Sequence, residues 1–170
     1  MVQRWPGYLP SHLLYHFIGN TRGESNNSRL TINNITKLDK GTIISCKATD
    51  DLGKRSIMGD SVTLDPYYGP ENVVVEPTIT NLNVTEGTTL GPLYCIATCN
   101  PGCNYNWKQK WTGTFNPVPN EYIFNQGRGV RVQAINRRQT GKYNCRVDHS
   151  TGYLHNTKEI SVNVQWYPYL

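Results

Sequence analysis

The sequence predicts an all-β protein made of two β-sandwich domains in tandem. Its 170 residues suit two small domains, and aromatic and β-branched residues are accompanied by 15 glycines and 10 prolines that favour turns. Short segments of alternating polar and apolar residues predict strands rather than helices. These segments recur after about 100 residues, and a strand-built repeat of that length predicts a second copy of the same kind of domain.

The clearest strands lie within residues 129–147. Val130 and Val132 alternate with polar residues, so one face of the first strand is apolar. A polar turn follows. In the next strand Tyr143 and Cys145 point inward, and the polar residues between and around them point outward.

The repeat is visible residue by residue. Residues 30–35 match residues 130–135 at an offset of 100, and Cys46 matches Cys145 at an offset of 99. A short proline-containing join at residues 65–70 separates the copies and restricts their flexing. The predicted domains are therefore residues 1–66 and residues 71–165.

Spacing in the second copy gives it a family likeness. Cys95 lies 50 residues before Cys145, Trp107 lies 12 residues after Cys95, and Tyr143 lies two residues before Cys145. This pattern resembles the immunoglobulin superfamily, in particular the tandem C2- or I-type domains of cell-adhesion and receptor ectodomains. The resemblance implies that Cys95 and Cys145 form the disulfide between the sheets, that Trp107 packs against it, and that Tyr143 forms a tyrosine corner. Gln139 stands where that family usually has an aspartate.

The same resemblance explains why the number of cysteines is odd. The chain has five cysteines. Cys46 falls on the strand that carries the second cysteine of an immunoglobulin domain, and no cysteine precedes it. We therefore expect Cys46 to be unpaired and the first domain to be N-terminally truncated, with strands from about C to G. Trp5 is the candidate tryptophan of its strand C.

A second disulfide is predicted from the residues themselves. Cys99 and Cys103 enclose the turn tripeptide Asn-Pro-Gly, so their sulfurs can approach each other. The alternative is a zinc site that combines cysteines with His149, although the paired C-x-x-C arms of most structural zinc sites are absent from the sequence. Two disulfides imply an oxidising compartment, which predicts an extracellular or cell-surface protein. We predict no metal and no cofactor.

Three sequons occur, and each is a candidate N-glycosylation site in an extracellular protein. The acceptor residues are Asn26, Asn34 and Asn83.

The net charge of +5 is modest. Its densest part is a set of basic residues that we expect on one side of the second domain, on the outward positions of strands E and F and on their corner. The set is Arg128, Arg131, Arg137, Arg138, Lys142 and Arg146. A solvated face is the plain interpretation, and a contact with an acidic glycan, polyanion or protein is the alternative. No recognition helix or RNA-reading motif points to nucleic acid.

Several other classes of function are disfavoured. No run of 18 apolar residues exists to span a membrane, and the first residues lack a small-residue signal cleavage site. Asp148, His149 and Ser150 contain the residue types of a catalytic triad, but adjacent residues on one turn cannot form the relay. No phosphate-binding loop or dinucleotide fingerprint occurs either. We expect no enzyme.

Function is therefore expected in the loops and sheet faces. The loop after the second-copy Cys145 offers His149, Tyr153 and His155 at the same end as the Cys99–Cys103 turn. Our first hypothesis is a cell-adhesion or receptor-type module that binds a protein, including a second copy of itself. The second is a soluble immune-recognition protein that binds anionic glycans or microbial polyanions through the basic E–F face. Only the binding expected under the second hypothesis should weaken steeply as the salt concentration rises.

Overall fold

The computed structural model describes residues 13–18, 24–26, 29–56, 59–111 and 113–166. Trp5, the candidate strand C tryptophan, lies outside these residues. The chain divides into two compact units, unit 1 up to Pro66 and unit 2 from Tyr67 onward. In the described ranges, each regular element is a β-strand or a single turn of 3-10 helix.

Unit 1 contains a three-stranded antiparallel sheet in the order β1–β4–β5 and a separate hairpin of β2 and β3. Its strands are β1 (Leu13–Ile18), β2 (Glu24–Asn26), β3 (Arg29–Thr31), β4 (Ile43–Asp50) and β5 (Val62–Thr63). β2 lies in the polar stretch before β3 and pairs with it.

Unit 2 is a two-layer sandwich. Its strands are β6 (Tyr68–Glu76), β7 (Asn81–Thr85), β8 (Leu90–Asn100), β9 (Cys103–Lys110), β10 (Asn116–Pro117), β11 (Ile123–Phe124), β12 (Gly129–Val132), β13 (Gly141–His149) and β14 (His155–Gln165). One sheet has the order β11–β12–β8–β6, and the other has the order β10–β9–β13–β14–β7. β7 runs parallel to β14, whereas the other strand pairs of these two sheets are antiparallel.

The core of unit 2 lies between these sheets. A disulfide joins Cys95 on β8 to Cys145 on β13, and both residues are fully buried. Trp107 is buried directly beside Cys145 in the register of β9 and β13, and its indole N–H donates to the Arg128 carbonyl. The Tyr143 hydroxyl donates to the Gln139 carbonyl at 3.4 Å. Burial raises the pKa of the Tyr143 phenol.

Each unit contains a 3-10 corner, and the two corners have the same hydrogen bonds. In unit 2, one turn of 3-10 helix at Arg137–Gln139 joins β12 to β13, and in unit 1 the turn at Lys37–Asp39 joins β3 to β4. Asn136 and Thr36 cap these turns by accepting a backbone N–H, and the last side chain of each turn accepts the N–H of the cap residue. The sequence repeat thus extends to hydrogen bonding.

The register of unit 1 corrects the strand C assignment. On β4, Cys46 lies opposite Phe17 of β1, just as Cys145 lies opposite Trp107 in unit 2. Phe17, rather than Trp5, occupies the position beside the cysteine. The connection from Phe17 to β3 is ten residues shorter than the connection from Trp107 to β12, so the offset of the repeat does not extend to this strand.

Candidate loop-end recognition site

The turn between β8 and β9 is closed by a disulfide. Cys99 and Cys103 are bonded, with their Cα atoms 5.5 Å apart. Asn100 ends β8 and Cys103 begins β9, so only Pro101 and Gly102 connect the two strands. Because both bonded sulfurs are committed to each other, the alternative of a zinc site on these cysteines is wrong.

His149, at the end of β13, forms a hydrogen bond with this turn. The side chain is only 2 % exposed, its Nε2 atom lies 2.7 Å from the Asn100 carbonyl oxygen, and its Nδ1 accepts the Thr151 N–H at 3.2 Å. A carbonyl only accepts and an N–H only donates, so the ring is the Nε2–H tautomer. His149 was predicted as a partner contact. The structure shows instead that His149 is buried and that its ring forms hydrogen bonds with both loops.

The hairpin between β13 and β14 continues this hydrogen bonding. Ser150 N–H donates to the Gly102 carbonyl, and His149 N–H donates to the Leu154 carbonyl. The turn that these bonds close carries the side chains of Tyr153, which is 90 % exposed, and Leu154, which is 53 % exposed. A rigid base therefore holds an exposed aromatic and apolar tip.

Tyr67 extends the exposed surface. Its ring centroid lies 6.0 Å from that of His149, yet 68 % of the residue is exposed. We name Tyr67, Tyr153 and Leu154 the loop-end surface. The Tyr67 ring lies near the imidazole of His149, Tyr153 lies in the turn between β13 and β14, and the Leu154 carbonyl accepts the His149 N–H. Sequence reasoning found Tyr153 but missed the other two. Tyr67 was assigned to the join, and Leu154 carried no signal apart from its position in the loop.

No family model matches the sequence. Solved structures are similar in fold. The I-band fragment I67–I69 of titin matches with a TM-score of 0.64 and 13 % identity, over 92 % of this chain and 56 % of that one. The full ectodomain of mouse nectin-like molecule 4, with domains Ig1–Ig3, matches with a TM-score of 0.51 and 18 % identity, over 94 % of this chain and 57 % of that one.

The chain has a tandem immunoglobulin-like fold. It spans little more than half the length of either solved fragment. In immunoglobulin terms, β8, β9, β12, β13 and β14 of unit 2 are strands B, C, E, F and G.

This topology overturns the expectation of one basic E–F face. Strand E (β12) belongs to one sheet and strand F (β13) to the other, so their outward side chains face opposite sides of the sandwich. Arg131 lies on β12 and Arg146 lies on β13. Arg137 and Arg138 lie in the corner between them. The prediction failed because strands E and F, although consecutive in sequence, lie in opposite layers of the sandwich.

Acidic neighbours also reduce the positive charge of unit 2. Arg137 pairs with Glu86 at 2.9 Å, Arg146 pairs with Asp148 at 2.7 Å, and Lys142 pairs with Glu159 at 2.6 Å. The Arg137 side chain and backbone N–H groups hold the pKa of the Glu86 carboxyl below its usual value. Hydrogen bonds from Arg146 to Asp148 raise the pKa of that guanidinium.

Two remaining arginines lie over aromatic rings. The guanidinium of Arg131 is 5.4 Å from the centroid of the Phe124 ring, and that of Arg128 is 4.9 Å from the Tyr105 ring. Cation–π contacts of this kind contribute about 0.5–1 kcal/mol at exposed sites. Each of these guanidinium groups therefore covers an aromatic ring on the outer surface of the sandwich.

Two sequon residues are exposed in the structure. Asn34 lies in the corner of unit 1 with a positive φ of 55°, and Asn83 lies on β7, where its Oδ1 accepts a hydrogen bond from Asn163. Asn26 is placed on β2 by its backbone. Cys46 is half-buried and forms no disulfide with the other described cysteines.

The structure shows no other chemical centre in the ranges it describes. Over those ranges, no cluster of three or more His, Cys, Asp or Glu side chains is arranged to hold a metal ion. Within the same residues, no helix is long and apolar enough to cross a membrane.

Proposed function

We propose that this chain is a non-enzymatic extracellular recognition module that binds a protein partner through the loop-end surface of unit 2. The observation that carries the proposal is the contrast between tip and base of one hairpin. Tyr153 and Leu154 are exposed, while His149 at the base is buried and hydrogen-bonded. Two disulfides in unit 2 support an oxidising, extracellular environment.

A preordered tip favours affinity. Binding costs free energy when flexible loops and side chains become ordered, and the hydrogen bonds at the base of this hairpin reduce that cost. Tyrosine supplies a large amphipathic contact area with few rotatable bonds, which explains its enrichment among residues that dominate interface energetics. Tyr153, flanked by Leu154 and with Tyr67 nearby at the same end, fits this role.

Binding of an anionic glycan or polyanion is the alternative, and it has weaker support. The basic residues of unit 2 are divided between two sheets, and Arg137 and Arg146 are paired with carboxylates. Paired charges on opposite sides do not provide one continuous basic surface. Arg131 and Arg138 remain as candidate contacts for this alternative.

The test uses the complete chain, biotinylated at its C-terminus and assembled on streptavidin. Binding is measured first to the immobilised chain itself and then to a panel of cultured cells by flow cytometry. The double variant Tyr153→Ala, Leu154→Ser removes the tip. The matched control is Leu52→Ser, which removes a similarly exposed residue from the corresponding turn of unit 1.

We expect the double variant to weaken binding by about tenfold or more, because truncating a dominant interface tyrosine costs about 2 kcal/mol or more and about 1.4 kcal/mol corresponds to tenfold. The control should bind as the unmodified chain does, and 0.5 M salt should have little effect. Binding that is abolished by salt or heparin and indifferent to the tip variant would support the polyanion alternative. If the control variant lost binding to the same extent, neither the loop-end surface nor the basic residues of unit 2 would be the binding site.

A further inference from the structure

A groove lies on the side of unit 2, where the chain passes from one sheet to the other. Strand β6 ends at Glu76 in the sheet of β8, and β7 begins at Asn81 in the sheet of β14. The groove lies between β7 and the start of β8 and has a volume of about 440 Å³, within the roughly 300–1,000 Å³ of small-molecule sites. Its apolar lining residues are Pro77, Leu82, Val84, Pro92 and Leu93.

This groove leaves part of the core in contact with solvent. Leu82 and Val84 pack against the core residues of unit 2, yet both are only half-buried. Their register partners on the neighbouring strand β14, Val162 and Val164, are buried. Apolar surface that stays in water forgoes the stabilisation that burial gives, so a group that covers the groove would stabilise unit 2.

Asn83 lies on the wall of the same groove and begins the sequon Asn83-Val84-Thr85. Asn83 and Thr85 are exposed, in alternation with the half-buried positions of β7. The Oδ1 atom of Asn83 accepts a hydrogen bond from the Asn163 side chain at 3.1 Å, which leaves Nδ2 outside that bond. Because an N-linked glycan is attached through Nδ2, the modification retains this contact between β7 and β14.

We propose that Asn83 carries an N-linked glycan whose first sugars lie in this groove and cover its apolar wall. Each sugar ring has a face of C–H groups that packs on apolar side chains, while its hydroxyl groups remain in water. The covalent link to Asn83 gives these sugars a high effective concentration at the groove, so individually weak contacts suffice. This surface is separate from the loop-end surface, and the proposal shares with the proposed function only the extracellular environment.

The modification is a transfer from a lipid-diphosphate oligosaccharide. The Nδ2 atom of Asn83 forms a new bond to the anomeric carbon of the oligosaccharide. The bond between that carbon and the diphosphate oxygen breaks, and the lipid diphosphate leaves with its electron pair. Nδ2 gives up one proton to a base of the transferase, and no group is oxidised or reduced.

The test uses the complete chain, secreted by cultured animal cells behind a cleavable signal peptide, so that it meets the transferase whatever its native location. Mass spectrometry of the peptide that contains Asn83 measures occupancy. Two variants are matched at one position. Thr85→Val removes the sequon and leaves Asn83 in place, whereas Thr85→Ser keeps a sequon. Asn26 and Asn34 are unchanged in both variants, so the comparison isolates Asn83.

Hydrogen exchange of residues 82–93 and thermal unfolding then measure where the glycan lies. We expect occupancy of Asn83 in the unmodified chain and in Thr85→Ser, and none in Thr85→Val. The glycosylated chain should exchange these amides about threefold more slowly than Thr85→Val, and its unfolding midpoint should be about 4 °C higher. Trimming the glycan to its first sugar should retain part of both effects.

An unmodified Asn83 in the secreted chain would overturn the proposal. So would a glycan that changes neither exchange nor the midpoint, because its sugars would then extend into solvent. Self-association of Thr85→Val that protects the same residues equally well would also overturn it, since a second copy would then be the occupant of the groove. None of these outcomes alters binding by the loop-end surface, so the two proposals can fail separately.

Discussion

The Nε2 atom of His149 lies 2.7 Å from the carbonyl oxygen of Asn100, so a side chain from one hairpin supports the turn of another. Asn100 and His149 are both buried. An unsatisfied polar group in such a position costs more than the hydrogen bond itself contributes. The imidazole therefore couples the stability of the loop-end surface to that of the sandwich.

Replacing this histidine should be costly. We expect His149→Ala to lower the free energy of unfolding by about 1–3 kcal/mol, because it removes two buried hydrogen bonds of the imidazole, one to the Asn100 carbonyl and one from the Thr151 N–H. Urea unfolding followed by tryptophan fluorescence measures the change. Tyr153→Ala, at the exposed tip, should change stability by no more than about 0.5 kcal/mol. Equal effects of the two variants would contradict the role assigned to the imidazole.

The two disulfides should contribute unequally. Cys95 and Cys145 are 50 residues apart, and Cys99 and Cys103 are 4 apart. Loop-closure entropy predicts losses of about 4 kcal/mol for Cys95→Ala with Cys145→Ala and about 2 kcal/mol for Cys99→Ala with Cys103→Ala. Unfolding midpoints of both double variants, measured without reductant, test this order. A larger loss from the small loop would show that its contribution is not that of chain entropy.

Gly141 is required by close packing of strands. Its φ is +150°, and a Cβ there would collide with the carbonyl oxygen of Lys110 on β9. We expect Gly141→Ala to cost roughly 3 kcal/mol, through strain and the displacement of a backbone that cannot move freely. The control is Gly152→Ala, where φ is +80° but no atom lies near the added carbon. That variant should lose about 1 kcal/mol, and thermal unfolding distinguishes the two.

The pair of Glu86 and Arg137 should make stability pH-dependent. The folded state lowers the pKa of Glu86. The pair therefore stabilises the fold above the usual glutamate pKa of about 4.3, and this contribution is lost as the pH falls through the lower folded-state value. In Glu86→Gln, the fall in the urea midpoint between neutral and acidic pH should be smaller. Arg138→Ala, which removes a neighbouring arginine outside the pair, should retain the full fall.

Much of unit 2 follows from sequence patterns. Val130 and Val132, or Tyr143 and Cys145, can be assigned to the interior from their period of two, because successive side chains of a strand point to opposite faces. The cysteine and tryptophan spacing then indicates how the strands form two layers. The sequence also predicts a polar turn between these strands. It does not predict the capping role of Gln139, because only the structure shows its amide oxygen accepting the Asn136 N–H.

The loop-end site was less predictable. His149 sits in a polar stretch that reads as an exposed loop, yet the alternation of β13 continues through it and turns the ring inward against Asn100. Arg131 and Arg146 are close in the chain but lie on different sheets. The sequence does not show that β13 extends as far as His149 or that strands E and F belong to different sheets, since both facts depend on pairing with distant segments.

The sequence by itself determined the all-β class, the repeat of about 100 residues and the inward positions of its strands, because alternation and spacing are local properties of the chain. The tertiary structure alone decided which residue lies opposite Cys46, that His149 is buried, and which charges share a surface. Those outcomes depend on strand register and on the assignment of strands to layers, which are set by packing between segments far apart in sequence.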